Sequence, residues 1–320
     1  MRKIETSLIV LTILLCCSAS LYSEEKPKTS PWLSVNDFLY QLQKFDLNAA
    51  GKSKFDLVVT DYSRDGSEEQ KYTKEEIAAL KNSPGGSKLV LSYLSIGEAE
   101  SYRYYWEKSW DADGDGKPDA GAPSWLGPMN PEWEGNYKVK YWDPGWQKII
   151  FGAKDSYLDK IIDAGFDGVY LDIIDAYEYW GPDGKSWMTR PTAEQQMVDF
   201  VMAMAKYARV TKGKPDFGIF PQNGEGLSSH KDYLETVSGI GKEDTWYDGN
   251  TANPSGDIAG ILSNLDVFKK GGKLVLVIDY VTKQEKIDDF YNKAKAKGYV
   301  PYATVRPLDK LTVNQGHEPD

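Results

Sequence analysis

The stretch Asp167-Gly168-Val169-Tyr170-Leu171-Asp172-Ile173-Ile174-Asp175 constrains this chain more than any other. Val169, Tyr170, Leu171, Ile173 and Ile174 make an apolar run entered through a glycine. That is the pattern of a strand covered on both faces, as in a parallel sheet. Asp172 stands at its far end although Asp is depleted in strands. Acids at the C-terminal tips of parallel strands are where barrel and doubly wound enzymes keep their chemistry. A helix cap or a structural ion pair would place an acid there equally well.

Runs of this kind recur. They are Phe55–Tyr62, Lys88–Glu98, Tyr137–Asp143, the 167–175 stretch, Phe217–Glu225, Val237–Gly241 just before Glu243, Lys273–Tyr280 and Val300–Val305. Helical spacing fills the intervals. Ser34-Val35-Asn36-Asp37 starts a short helix carrying Phe38, Leu39, Leu42 and Phe45. Thr73-x-x-Glu76 and Thr282-x-x-Glu285 read as capping boxes. Asp143-Pro144 opens one helix whose apolar stripe runs from Ile149 to Ile162 and which Gly165 ends. Thr192-x-x-Gln195 opens another, burying Met197, Phe200, Val201, Met204 and Tyr207. Eight strands alternating with helices fit an α/β, single-domain (β/α)8 barrel over residues 32–310, with 311–320 as a tail.

Ahead of the barrel, Arg2 and Lys3 precede an apolar run from Leu8 to Leu15 and then Ser18-Ala19-Ser20. Residues 1–23 read as a secretory signal and 24–31 as a linker, so the mature protein is expected to be secreted or periplasmic. The apolar run is too short to span a bilayer. Both cysteines, Cys16 and Cys17, lie in that signal, and His230 and His317 are the only histidines. The mature chain then has no thiol nucleophile, and two histidines make a multi-histidine metal centre of the deacetylase kind and a Ser-His-Asp triad implausible. No cofactor and no metal are assigned, and any catalysis falls to carboxylates, Tyr or Lys. The formal net charge of -10 disfavours nucleic acid and anionic membranes. It suits a cationic substrate or plain solubility.

The strand tips then form a set: Asp61, Glu98, Asp143, Asp172, Asn223 with Glu225, Glu243 and Asp279. In a closed barrel these converge on one rim. A carboxylate-rich rim without histidine points to glycoside chemistry, where one carboxyl protonates the leaving oxygen and another attacks or activates water. Asp172 and Glu225 end adjacent strands. Gly224 and Gly226 mark a turn in which Glu225 would otherwise be merely solvated.

Five separated motifs sharpen this: Val58-Val-Thr-Asp61-Tyr-Ser-Arg-Asp-Gly66, Tyr93-Leu-Ser-Ile-Gly-Glu98-Ala-Glu100, Asp167-Gly-Val-Tyr-Leu-Asp172, Gln222-Asn-Gly-Glu225 and Tyr302-Ala-Thr-Val-Arg-Pro307. Over roughly residues 31–310 the chain resembles glycoside hydrolase family 114, typified by endo-α-1,4-polygalactosaminidases with a TIM-barrel domain. The resemblance implies retaining, endo-acting cleavage of an α-1,4-linked galactosamine-containing polysaccharide, with Asp172 as nucleophile and Glu225 as general acid/base. Substrate contacts are expected from Asp61, Tyr93, Glu98, Asp175, Asn223, Glu243, Trp246, Asp279 and Tyr280. A catalytically silent barrel that only binds polysaccharide is the alternative; retention of both acids favours the enzyme. A monomer is expected.

Two features stand apart. Residues 99–136 are rich in aromatics (Tyr102, Tyr104, Tyr105, Trp106, Trp110, Trp125, Trp133), which either stack sugar rings or pin a long loop to the barrel. Tyr177, Tyr179, Trp180 and Trp187 follow the Asp172 tip more directly. Asp111-Ala-Asp-Gly-Asp-Gly-Lys-Pro-Asp119 begins like a calcium loop, but Ala122 stands where the bidentate Glu would be. It reads as a solvated acidic turn.

Overall fold

The computed structural model describes residues 30–186 and 188–320, and within them eight parallel strands stand in a ring. Residues 1–29, which hold the expected signal, both cysteines and most of the expected linker, lie outside the described residues, as does Trp187. The strands are β1 (Phe38–Tyr40), β2 (Leu57–Thr60), β3 (Leu89–Ser95), β4 (Gly168–Asp172), β5 (Gly218–Pro221), β6 (Gly239–Glu243), β7 (Leu274–Asp279) and β8 (Val300–Ala303). β1 to β5 form one parallel ladder and β6 to β8 another. The ladders join where Gln222 pairs with Gly241 and Ser238 N donates to Ile219 O at 2.9 Å. On the other side β8 lies against β1. The Phe38 and Tyr302 rings are 5.5 Å apart, and Leu42 N and Gln43 N donate to Leu308 O at 2.9 and 3.0 Å.

The chain is therefore a (β/α)8 barrel, and its apolar runs explain why. Strand residues between helices and barrel interior are covered on both faces, and β2, β5, β7 and β8 are buried at every position. Tyr40 of β1 and Tyr170 of β4 meet across the interior with rings 5.1 Å apart. Gly241 of β6 leaves them room: a Cβ there would lie 1.8 Å from the Tyr170 hydroxyl. Outside the ring run the helices, among them Lys74–Lys81, Tyr157–Ala164, Ala193–Lys206, Ser255–Lys270 and Gln284–Ala296. No helix among the described residues is long and apolar enough to cross a membrane.

The strand count holds, but two strands exchange places. Phe38–Tyr40, expected in a helix, is β1; all three residues are buried, so the run has no solvent face for a helix to present. Tyr137–Asp143, expected in the barrel, supplies instead the middle strand (Asn136–Val139) of an antiparallel sheet with Glu98–Glu100 and Leu126–Met129. Asp143 leaves the rim with it and caps the helix Pro144–Ile150, accepting from Gly145 N at 2.7 Å. The single helix expected over 143–165 is two, broken after Ile150 and resumed at Tyr157. Thr73 makes its capping box. Thr282 does not, because Asn250 takes both its N–H and its hydroxyl oxygen; Thr192 makes no side-chain cap either.

The insertion's aromatics mostly pack on one another. Trp106 lies 4.5 Å from Tyr137, Trp110 5.2 Å from Trp125, and Trp125 5.0 Å from Trp146 of the outer helix. Tyr102 and Trp133 alone of the seven are exposed. In the acidic turn, carboxylate oxygens of Asp111, Asp113 and Asp115 come within 4.8 Å of one another.

One substitution should change sign with place. Gly260→Ala, in the helix Ser255–Lys270 with nothing near its Cβ, should stabilise by about 0.5–1 kcal/mol. Gly241→Ala should destabilise by about 1–3 kcal/mol through displacement of Tyr170. Urea unfolding midpoints of the two variants test the contrast.

Candidate active site

Asp172 ends β4 half-buried, and each of its oxygens carries one hydrogen bond. Tyr93 OH donates to Oδ2 and Ile173 N to Oδ1, both at 2.8 Å. The second bond requires a sharp turn of the backbone directly after the strand. Ile173 has φ +58°, a left-handed conformation that is an outlier for a β-branched residue and costs on the order of 1–3 kcal/mol. Gly97 lets the neighbouring loop approach this turn; a Cβ there would lie 2.3 Å from Ile173 O. The next two tips turn in the same sense, at Asn223 (φ +61°) and Asp244 (φ +50°), with residue types that tolerate it.

Glu243 ends β6 beside Asp172. Gln222 Nε2 donates to its Oε2 at 2.6 Å, Asn223 Nδ2 at 3.4 Å, and Tyr280 OH donates to Oε1. Gln222 is itself held from below, accepting from Tyr40 OH at 2.9 Å. Arg306 covers the Tyr280 ring at 4.4 Å and pairs with Asp244. Burial pushes Asp172 well above the usual carboxylate range, and the Glu243 charge adds to it; the two hydrogen bonds oppose. Burial raises Glu243 as well. Asp175, one turn past the β4 tip, is pushed up to about 6, first by burial and then by Glu178, with Lys242 and Lys138 opposing.

Glu225 opens a short 3-10 turn, Glu225–Ser229, after β5. Lys242 Nζ lies 3.7 Å from its Oε1 and donates to Asn223 Oδ1 at 3.2 Å; Asn223 Oδ1 also accepts from Glu243 N. The half-buried polar groups at these tips include Asp172, Asp175, Asn223, Glu225, Lys242, Glu243 and Asp244. Two carboxyls past neighbouring tips can serve one bond from two sides.

Four residues expected to touch substrate are placed behind that surface. Asp61 is buried with both oxygens on Arg103, at 2.8 and 2.7 Å. Glu98 is fully buried on Lys138 and Asn130. Asp279, also fully buried, accepts the backbone N–H groups of Thr245, Trp246 and Tyr247 at 2.7, 3.0 and 3.0 Å. Trp246 is buried against Phe290 at 5.8 Å. These acids brace the rim instead of lining it, their charge met by groups inside the protein. Tyr93 and Tyr280 are nearly buried, and their hydroxyls are committed to Asp172 and Glu243. Of the aromatics after β4, Tyr177 and Tyr179 are half-buried, and Trp180 is buried on Trp142 at 5.2 Å.

The sequence reading did not single out Gln222, Arg103, Lys138 or Lys242. Gln222 stands inside a quoted motif, and Arg103 lies three residues past the end of another. Lys138 and Lys242 bore no signal but polarity in an otherwise strand-like run.

With this geometry in place, comparison with known proteins is informative. The sequence pattern of glycoside hydrolase family GH114 matches residues 22–318. An uncharacterized protein of Methanocaldococcus jannaschii is 45% identical over 284 residues, covering 85% of this chain and 77% of its own. One from Thermotoga maritima is 38% identical over 303 residues, covering 91% and 88%. Among solved structures, the glycoside hydrolase domain of PelA from Pseudomonas aeruginosa superposes with TM-score 0.57 at 18% identity, over 88% of this chain and 98% of that one. Aspergillus fumigatus Ega3 in complex with galactosamine superposes with TM-score 0.62 at 17% identity, over 89% and 97%. At these identities the two structures establish the shared fold.

Asp175 offers a direct check of the rim's electrostatics. Its folded pKa of about 6 lies above the 3.8 of a free Asp, so the folded protein holds this proton more tightly. The stability it contributes is complete below about pH 4 and is lost as pH rises through about 6. The stability of the wild type relative to Asp175→Asn should therefore fall by up to about 3 kcal/mol between those limits. Urea unfolding of both proteins at the two pH values measures it.

Proposed function

The chain belongs to glycoside hydrolase family GH114, and from that premise we propose that it cleaves a galactosamine-containing polysaccharide by a retaining, endo-acting, two-carboxylate route. Asp172 attacks the anomeric carbon; Glu225 protonates the leaving oxygen and then activates water. The observation that carries the assignment is that Asp172 ends β4 and Glu225 follows the end of the adjacent β5, both half-buried on one rim. The galactosamine bound in Ega3 and the acidity of the chain support a cationic amino-sugar polymer. Residues 1–23 serve as an export signal in this reading, in keeping with a substrate too large to enter a cell.

Burial, and after it the Glu243 charge, raises the cost of ionising Asp172 in the free protein. A sugar bearing an ammonium group, and the cationic transition state after it, would relieve that cost as it enters. The rim is then more complementary to the transition state than to solvent.

Asp172→Asn should lower kcat by about a thousandfold or more while leaving the fold intact. Glu225→Gln should stop cleavage of polymer but keep activity on an aryl glycoside, whose leaving group needs no proton. Azide should rescue that variant and yield a glycosyl azide of retained configuration. Glu243→Gln should retain polymer cleavage. Rescue of Asp172→Asn in place of Glu225→Gln would reverse the two roles, and near-normal rates in either variant would remove the assignment.

A further inference from the structure

We infer that the Tyr93 hydroxyl is a two-position switch, donating to Asp172 while that carboxylate is ionised and turning to Glu100 when the charge leaves it. The inference rests on the reading of Asp172 as the reacting carboxylate. Tyr93 OH lies 2.8 Å from Asp172 Oδ2 and 3.3 Å from Glu100 Oε1. A phenol has one proton to donate, so only one of the two contacts is a hydrogen bond donated by Tyr93 at any moment. Burial, with the charges of Asp172 and Glu100 on either side, holds the phenol well above its usual range, so the proton stays on it.

The second acceptor is built as firmly as the first. Glu100, 1% exposed, takes Tyr102 OH on Oε1 at 2.6 Å and Arg103 Nε on Oε2 at 2.6 Å. Arg103, itself 3% exposed, is fixed from the far side by its two bonds to Asp61. A rigid, counter-charged carboxylate is thus held behind the tyrosine, although nothing in the hydrogen bonding of Asp172 alone requires one. The other groups facing Asp172 cannot exchange in this way. Tyr40 is bonded to Gln222, Tyr170 OH makes no hydrogen bond among the described residues, and Glu243 and Asp175 offer only further negative charge.

When Asp172 becomes bonded to sugar, its oxygens cease to be strong acceptors. The Tyr93 proton then swings about the C–O bond to Glu100; no bond to it breaks and no proton is transferred. When the glycosyl group departs, the proton swings back to meet the returning charge. Tyr93 is on this account a positioning residue on β3, and Glu100, Arg103 and Asp61 behind it link the end of β2 to the chemistry at β4.

The test is the pH–rate profile of the full-length protein on partially deacetylated α-1,4-galactosamine oligosaccharides. Tyr93→Phe should lower kcat about 10–100-fold with KM changed less than about threefold. The acid limb of kcat should move up by about one pH unit, because the ionised Asp172 loses a donor. Glu100→Gln should move that limb down, because a negative charge behind Tyr93 is removed. An unchanged melting temperature in Tyr93→Phe with a moved limb supports the switch. A limb that stays in place with kcat within about twofold overturns it. If Tyr93→Phe does not fold, Glu100→Gln decides, an unmoved limb being the negative result. Activity surviving in Asp172→Asn would defeat the underlying reading, whereas an inactive Asp172→Asn beside an unaltered Tyr93→Phe would defeat the switch alone.

Discussion

Negative charge held at the mouth of an apolar ring is the constraint on which this structure turns. Tyr40 and Tyr170 fill the interior directly beneath Asp172 and Glu243, so solvation that water would provide must come from the protein. Asp172 has two donors and Glu243 three. Even so, both carboxyls remain raised by burial. The barrel therefore presents acids that are oriented by hydrogen bonds but not neutralised by cations, which is the condition a positively charged transition state exploits.

The surrounding acids are treated in the opposite way. Asp61 and Glu100 share Arg103, Glu98 has Lys138, and Asp279 has three backbone N–H groups. These pairs lie in the layer behind the rim and carry the loops that shape it. Arg103 and Lys138 come from the insertion between β3 and β4, so the packing of that insertion's tryptophans is also what places its cations. Removing either cation would leave a buried acid unpaired, a defect on the order of 3–5 kcal/mol.

The backbone contributes as well. Three successive strand tips leave the barrel through left-handed residues, Ile173, Asn223 and Asp244. Asn and Asp take that conformation readily, but isoleucine does not. Its strain is the local cost of bringing Ile173 N round to Asp172 Oδ1, and the close packing of Gly97 beneath it leaves the turn no room to relax.

What the sequence by itself determined is the class of architecture and the position of Asp172. Apolar runs too long for one-sided strands, each ending in a polar tip, admit little but a parallel barrel, and a carboxylate at the end of such a run is a local fact. Local pattern misread Phe38–Tyr40 and Tyr137–Asp143, because three apolar residues carry no usable period and an antiparallel insertion strand looks like a barrel strand. Which acids face solvent was decided only in three dimensions. Asp61, Glu98 and Asp279 share the tip positions of Asp172 and Glu243, yet each is claimed by partners 32 to 42 residues away in the chain. Whether a charge is neutralised depends on partners that sequence distance hides, so the tertiary structure alone separated the acids that brace the rim from those left available on it.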